Sequence, residues 1–256
     1  MFSPTMLAGA AVLFIAVAGH AGTPDLNGIW QAVGSAHWNV EPHVASAAPI
    51  TESGALGAAP AGLGVVEGGW IPYRDHARTV RDDNFEHRTE RDPAVNCYMP
   101  GVPRATYMPL PFQILQTPGH VFIAYEFAGA SRTVHLDQPD LEAPASSWMG
   151  HSLGRWEGET LVVDVTDQVG ETWLDRAGNH HSDALHVEER FTRTGPDHLL
   201  YEATLTDPNV YKRPWTLRLP LYRRIEPNVQ LLDFRCVEFV EQLMYGHLTR
   251  QPEESQ

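Results

Sequence analysis

From residue 112 onward the chain is a series of short β-prone runs separated by turn residues, which restricts its fold more than any other feature. The candidate strands are 112–116, 120–127, 131–137, 148–156, 160–166, 184–194, 198–206, 214–223 and 230–241. Thr117-Pro118-Gly119, Glu157-Gly158, Thr194-Gly195-Pro196-Asp197 and Asp207-Pro208-Asn209 punctuate them. No repeat of fixed period accompanies the runs, which argues against a propeller or solenoid. Eight or nine antiparallel strands, with one more from the N-terminal region, predict a mainly β protein. The architecture is a closed barrel of about 8–10 strands, or alternatively a two-sheet β-sandwich.

Before the strands lies an insertion at about 44–111. Residues 44–69 are rich in Ala, Gly, Ser and Pro and nearly free of charge, the composition of an irregular loop. Residues 73–91 carry opposite charges three and four apart, which suits one solvated polar helix ending at Asp92-Pro93. The stretch from Met99 to Pro111 holds too many prolines for an interior strand, so it is expected to wrap the surface or line an opening.

Residues 7–18 form an apolar run of signal-peptide length, followed by small residues ending at Ala18 or Ala21, although no Lys or Arg precedes it. A signal peptide over 1–22, a single domain over 23–256 and a periplasmic or secreted location follow. No later stretch is apolar enough to span a bilayer as a helix. The formal charge of −14 disfavours nucleic acid and anionic membrane surfaces as partners. In an oxidising compartment the only two cysteines, Cys97 and Cys236, are expected to pair; two separate buried thiols are the alternative.

Asp25-Leu26-Asn27-Gly28-Ile29-Trp30 resembles the Gly-x-Trp start of lipocalin-type barrels. There the Trp closes one end against a basic residue from the last strands; Arg218, Arg223, Arg224 or Arg235 is the counterpart implied here. More broadly, Gly154 to Asp164, Thr172 to Asp175, His181 to Phe191, Asp207-Pro208 and Tyr211 to Thr216 are similar to a large group of uncharacterised exported bacterial β-rich proteins. That resemblance, from about Asp92 to Cys236, implies export and β architecture and carries over no activity.

The stretch 171–191 is richest in chemistry, with Asp175, His180, His181, Asp183, His186 and Glu188. Alternation along a strand puts His186, Glu188 and Arg190 on one face. Turned inward they would form an acid–base centre; turned outward they would be a structural ion-pair row. His181, His186 and Asp175 also permit a metal reading with Zn²⁺ or Cu²⁺, though no recognised ligand spacing occurs. In 148–156, His151 and Arg155 share a face opposite Trp148, Ser152, Gly154 and Trp156; the small residues leave room for a flat ligand or for close sheet packing. Asp164 pairs attractively with His151 or Arg155 across the hairpin. Arg104, in the proline-rich loop, is placed to grip an anionic or carbonyl oxygen or to form a salt bridge.

No phosphate-binding loop, nucleophile elbow or haem motif is present. The expectation is therefore an exported enzyme doing cofactor-free lyase, hydratase or isomerase chemistry on a small, partly apolar or aromatic molecule. His186, His181, Asp175, Glu188, Arg104 and His151 are the catalytic candidates, and Trp148, Trp156, Trp173, Tyr107, Tyr125 and Arg190 the ligand-binding ones. The alternatives are a non-catalytic lipocalin-like carrier, a metal-binding periplasmic protein, and a structural protein whose barrel is filled with side chains.

Overall fold

The computed structural model describes residues 23–47, 58–238, 240–245 and 247; the expected signal peptide lies outside them. Nine strands form one closed, lipocalin-like barrel: β1 (Gly28–Ala32), β2 (Phe112–Gln116), β3 (His120–Tyr125), β4 (Ser131–Leu136), β5 (His151–Glu157), β6 (Thr160–Thr166), β7 (His186–Gly195), β8 (His198–Thr206) and β9 (Trp215–Arg223). β9 pairs back onto β1, which sets the sandwich aside. One pairing departs from the all-antiparallel expectation: β4 and β5 run parallel, because residues 137–150 carry the chain back along the barrel before β5 begins. The last candidate strand, 230–241, is also corrected. Once β9 meets β1 the sheet has no free edge, so residues 231–238 run irregularly into a short helix, Val240–Tyr245.

The two ends differ. Tight connections at 117–119, 158–159 and 196–197 lie at one end; the chain makes excursions from the other end after β1, β6 and β8, while 137–150 and the segment after β9 start at the tight end. At the tight end Trp30 is fully buried and its indole donates to Leu26 O at 2.9 Å. The Arg223 guanidinium lies over the Trp30 ring, 4.5 Å from its centroid, and donates to Asn27 O at 2.7 Å. Arg223 is thus the basic residue of the Gly-x-Trp arrangement.

The charged insertion forms helices α1 (Asp75–Glu86) and α2 (Arg88–Arg91), broken at His87; Ala77 alone is buried in α1 and nothing is buried in α2. Asp92 stops the run, and its carboxylate accepts from the Ala94 amide at 3.0 Å. The proline-rich segment does not stay on the surface. Residues 100–108 are buried at the wide end, where Arg104, Met108 and Pro109 line the opening, so of the two expectations only the surface wrap is set aside. Gln168 clamps Val102, accepting its N–H at 2.7 Å and donating to its C=O at 3.0 Å, and Tyr107 donates to Leu174 O at 2.8 Å. With the Val102 backbone met by Gln168 and the Ala105 and Thr106 amides bonded within the segment, it buries Val102, Ala105, Tyr107 and Met108 as a stopper.

The barrel interior is filled. Val134, Val163, Val187, Phe191, Leu205 and Leu217 point inward with Arg132 and Glu189, which form a two-point ion pair between β4 and β7. Tyr201 donates to Glu189 at 2.7 Å and Arg132 Nε donates to Tyr125 at 3.0 Å, so the pair's remaining hydrogen-bonding capacity is largely met. On β5 the small residues serve close packing rather than a flat ligand: a Cβ on Gly154 would meet Val134 at 2.5 Å.

Glu189→Ala should therefore destabilise the protein by about 3–5 kcal/mol in urea unfolding, because Arg132 is left charged and dry. The double variant Arg132→Met/Glu189→Leu should recover most of that loss. A single-variant loss below ~1 kcal/mol would show that water reaches the barrel interior.

Candidate functional site

His186, Glu188 and Arg190 lie on the outer face of the barrel, since Val187, Glu189 and Phe191 alternate with them and are buried. They belong to a surface ion-pair row. Asp164 accepts from His186 Nε2 at 2.9 Å and from Arg155, and Arg190 bridges Glu157 at 2.8 Å. The His186 side chain is 43% exposed, so no enclosed acid–base centre exists there. His151 also faces out, with Nε2 2.9 Å from Leu141 O and its ring beside that of His135, which in turn meets His120.

The other catalytic candidates are buried and committed to structure. The Asp175 carboxylate is 0% exposed and accepts from Val40 N at 2.9 Å, Ala177 N at 2.9 Å, and Asn179 Nδ2 at 2.6 Å. Burial still pushes its pKa up to about 6, because those bonds only partly offset desolvation. His181 has Nδ1 2.8 Å from Ser182 O and Nε2 2.6 Å from the Thr172 hydroxyl. A neutral ring with its proton on Nδ1 satisfies both contacts, and both nitrogens are occupied. Arg104 does not present its fork to a ligand, because Nη1 and Nη2 hold Asp92 at 2.7 and 2.8 Å. Among the described residues no group of three or more His, Cys, Asp or Glu is arranged to hold a metal ion.

The aromatic candidates do not converge either. Tyr107, Tyr125 and Trp173 are buried in the stopper and core, Trp156 packs partly buried against the core, and Trp148 stacks on Tyr98 at 4.7 Å. Trp148 precedes β5 and so falls out of register with Trp156.

A cavity of about 420 Å³ lies beyond the wide end of the barrel, lined by no strand residue. Its apolar wall includes Trp38, Met108, Phe127, Phe234 and Val237; its polar wall includes His37, Thr89, Asp92, Arg104, Arg176 and Arg235. The Arg176 guanidinium stacks over Trp38, 4.6 Å from the ring centroid, and its amide donates to His37 O at 3.0 Å. Burial, reinforced by Arg176 and Arg104, depresses the His37 pKa to about 4, so the ring is uncharged at neutral pH. The outer wall is the segment around 231–238. It is fastened by the Cys97–Cys236 disulfide, by Leu232 N donating to Glu126 at 2.8 Å, and by Phe234 on Phe127 at 5.0 Å.

His37, Trp38, Arg176 and Phe234 stood out in no sequence pattern. One signal could have found part of the site: pairing Cys97 with Cys236 brings 92–104 against the residues flanking Cys236. No protein-family model, curated protein or solved structure matches the chain.

Two predictions follow from these environments. Burial lowers His37 and His180 to about 4, and lowers His181 and His135 in the same direction, so from about pH 6.5 to 4 the unfolded chain binds protons that the folded one refuses. That stability is present above pH 6.5 and is lost on acidification. Asp175, raised to about 6, acts oppositely, its contribution present below pH 3.8 and lost as pH rises through about 6, but it is outnumbered. Thermal unfolding should show the midpoint falling from pH 6.5 to 4, with a shallower fall in His37→Gln. Separately, reducing the disulfide should speed amide exchange in 231–238 while β6–β8 amides stay protected. Exchange spreading through the barrel would contradict a local clasp.

Proposed function

We propose that the protein is an exported, lipocalin-like binding protein that holds a small, partly apolar molecule in the cavity beyond the barrel's wide end. The observation that carries this reading is the cavity itself. Its volume of about 420 Å³, aromatic and aliphatic walls and a few converging polar groups match the usual make-up of small-molecule sites. The barrel, where lipocalin-type proteins would be expected to hold a ligand, is occupied by Arg132, Glu189 and their neighbours. Export is supported by the apolar run at 7–18 and by the disulfide, which is characteristic of oxidising compartments. No helix among the described residues is long and apolar enough to cross a membrane.

An acid–base enzyme of the lyase or isomerase type is the second reading, favoured by the uncharged His37 on the cavity wall. It has weaker support. A ring with a pKa of about 4 is free of its proton at pH 7 but is a feeble base, and Asp92 is neutralised by Arg104.

The uncharged fluorescent probe N-phenyl-1-naphthylamine should bind at one site per chain. Ala94→Trp, which fills the cavity from its wall, should weaken binding at least ~10-fold while leaving the far-ultraviolet circular dichroism unchanged. Absence of probe binding to the wild-type chain, or equal binding by Ala94→Trp, would overturn the assignment.

A further inference from the structure

The cavity wall is electrostatically lopsided. Three guanidinium groups, Arg104, Arg176 and Arg235, border it against a single carboxylate, Asp92, in a chain whose formal charge is −14. Asp92 is consumed by Arg104, with both side chains only 1% exposed. Arg235 reaches Asp233 at 3.0 Å on the open side. Arg176 and Arg104 both oppose protonation of the His37 ring on this wall.

Arg104 also has a hydrogen-bonding donor to spare. Its two terminal nitrogens are satisfied by Asp92, but Nε is buried and has no hydrogen-bond partner among the described residues. A buried N–H without an acceptor costs free energy, and a molecule in the cavity that Arg104 lines would be a source of one. An anionic oxygen meets this need best, since hydrogen bonds between charged partners are stronger than neutral ones. The remaining wall of Trp38, Met108, Phe127, Phe234 and Val237 offers nothing to a second charge and much to hydrocarbon.

On the reading that the cavity is a binding site, we infer that its ligand is a monoanion with an apolar body, a carboxylate on an aliphatic or aromatic frame. The head lies by Arg104 Nε on the guanidinium wall, and the body lies along Trp38, Phe127 and Phe234. Cationic amphiphiles are repelled by the same groups. Neutral ones fill the apolar part and leave the Arg104 donor without a charged acceptor.

Competition against bound N-phenyl-1-naphthylamine tests this with three probes of equal length: decanoate, decanol and decylammonium. Decanoate should displace the probe at least ~10-fold more tightly than decanol, with decylammonium weakest, a ratio set by one charge-assisted hydrogen bond. Arg104→Lys keeps a positive charge opposite Asp92 but removes Nε, and should shrink the decanoate-to-decanol ratio several-fold. The exposed Arg235→Gln should shrink it less. The ratio is read on the wild-type chain, so it decides even if Arg104→Lys does not fold. Equal displacement by decanoate and decanol, or stronger displacement by decylammonium, would overturn the anion assignment and leave the binding site standing. Probe binding with no displacement by decanoate would do the same, whereas failure of the probe to bind would remove the site itself.

Discussion

Inside the barrel, Arg132 and Glu189 face each other from β4 and β7 with no access to water, and much else in the molecule is arranged around that fact. A buried ion pair is tolerable only when its leftover donors and acceptors are met, which is what Tyr125, Tyr201 and the nearby Ser152 contribute. These side chains occupy the volume that a ligand would otherwise take. Gly154 then lets β5 approach Val134 and Leu136 closely, so the interior packs as a core. A barrel filled in this way has to place any binding function at one of its ends.

The tight end is closed by Trp30 under Arg223, which leaves the wide end. There two buried carboxylates organise the long connections. Asp92 fixes Arg104 and the proline-rich stopper, and Asp175 gathers Val40, Ala177 and Asn179 around one point. Neither carboxylate has capacity left over for chemistry. The stopper they stabilise becomes the floor of the cavity, and the segment held by Cys236 becomes its outer wall.

Much of the fold was legible in the sequence because it depends on local pattern. Period-two alternation and turn residues located eight strands after residue 112, Gly28-Ile29-Trp30 marked the first, and the two cysteines anticipated the disulfide. Alternation grouped His186, Glu188 and Arg190 correctly but could not say which face turned outward. The informative residue was Glu189, a carboxylate on the apolar side between Val187 and Phe191, with Arg132 in the same position on β4. Two opposite charges on inward-facing positions imply a partnership across the barrel. The choice between surface wrap and opening was not legible for the proline-rich stopper: prolines exclude a segment from a sheet, but its burial depends on Gln168 and Leu174, more than sixty residues away. The cavity was hidden most thoroughly, since its lining comes from separate stretches between 37 and 240 that share no periodicity.

The disulfide spans 139 positions and ties the helical insertion to a segment that follows the last strand. During synthesis every barrel strand therefore emerges before Cys236 does, and the sheet can close on itself first. The outer wall of the cavity is laid across the stopper only afterwards, once Cys236 and its neighbours have emerged. A chain released into a reducing environment would keep its scaffold, with the pocket's outer wall held by two of its three fastenings. How firmly that wall is held is in this sense a record of the redox conditions the chain has met.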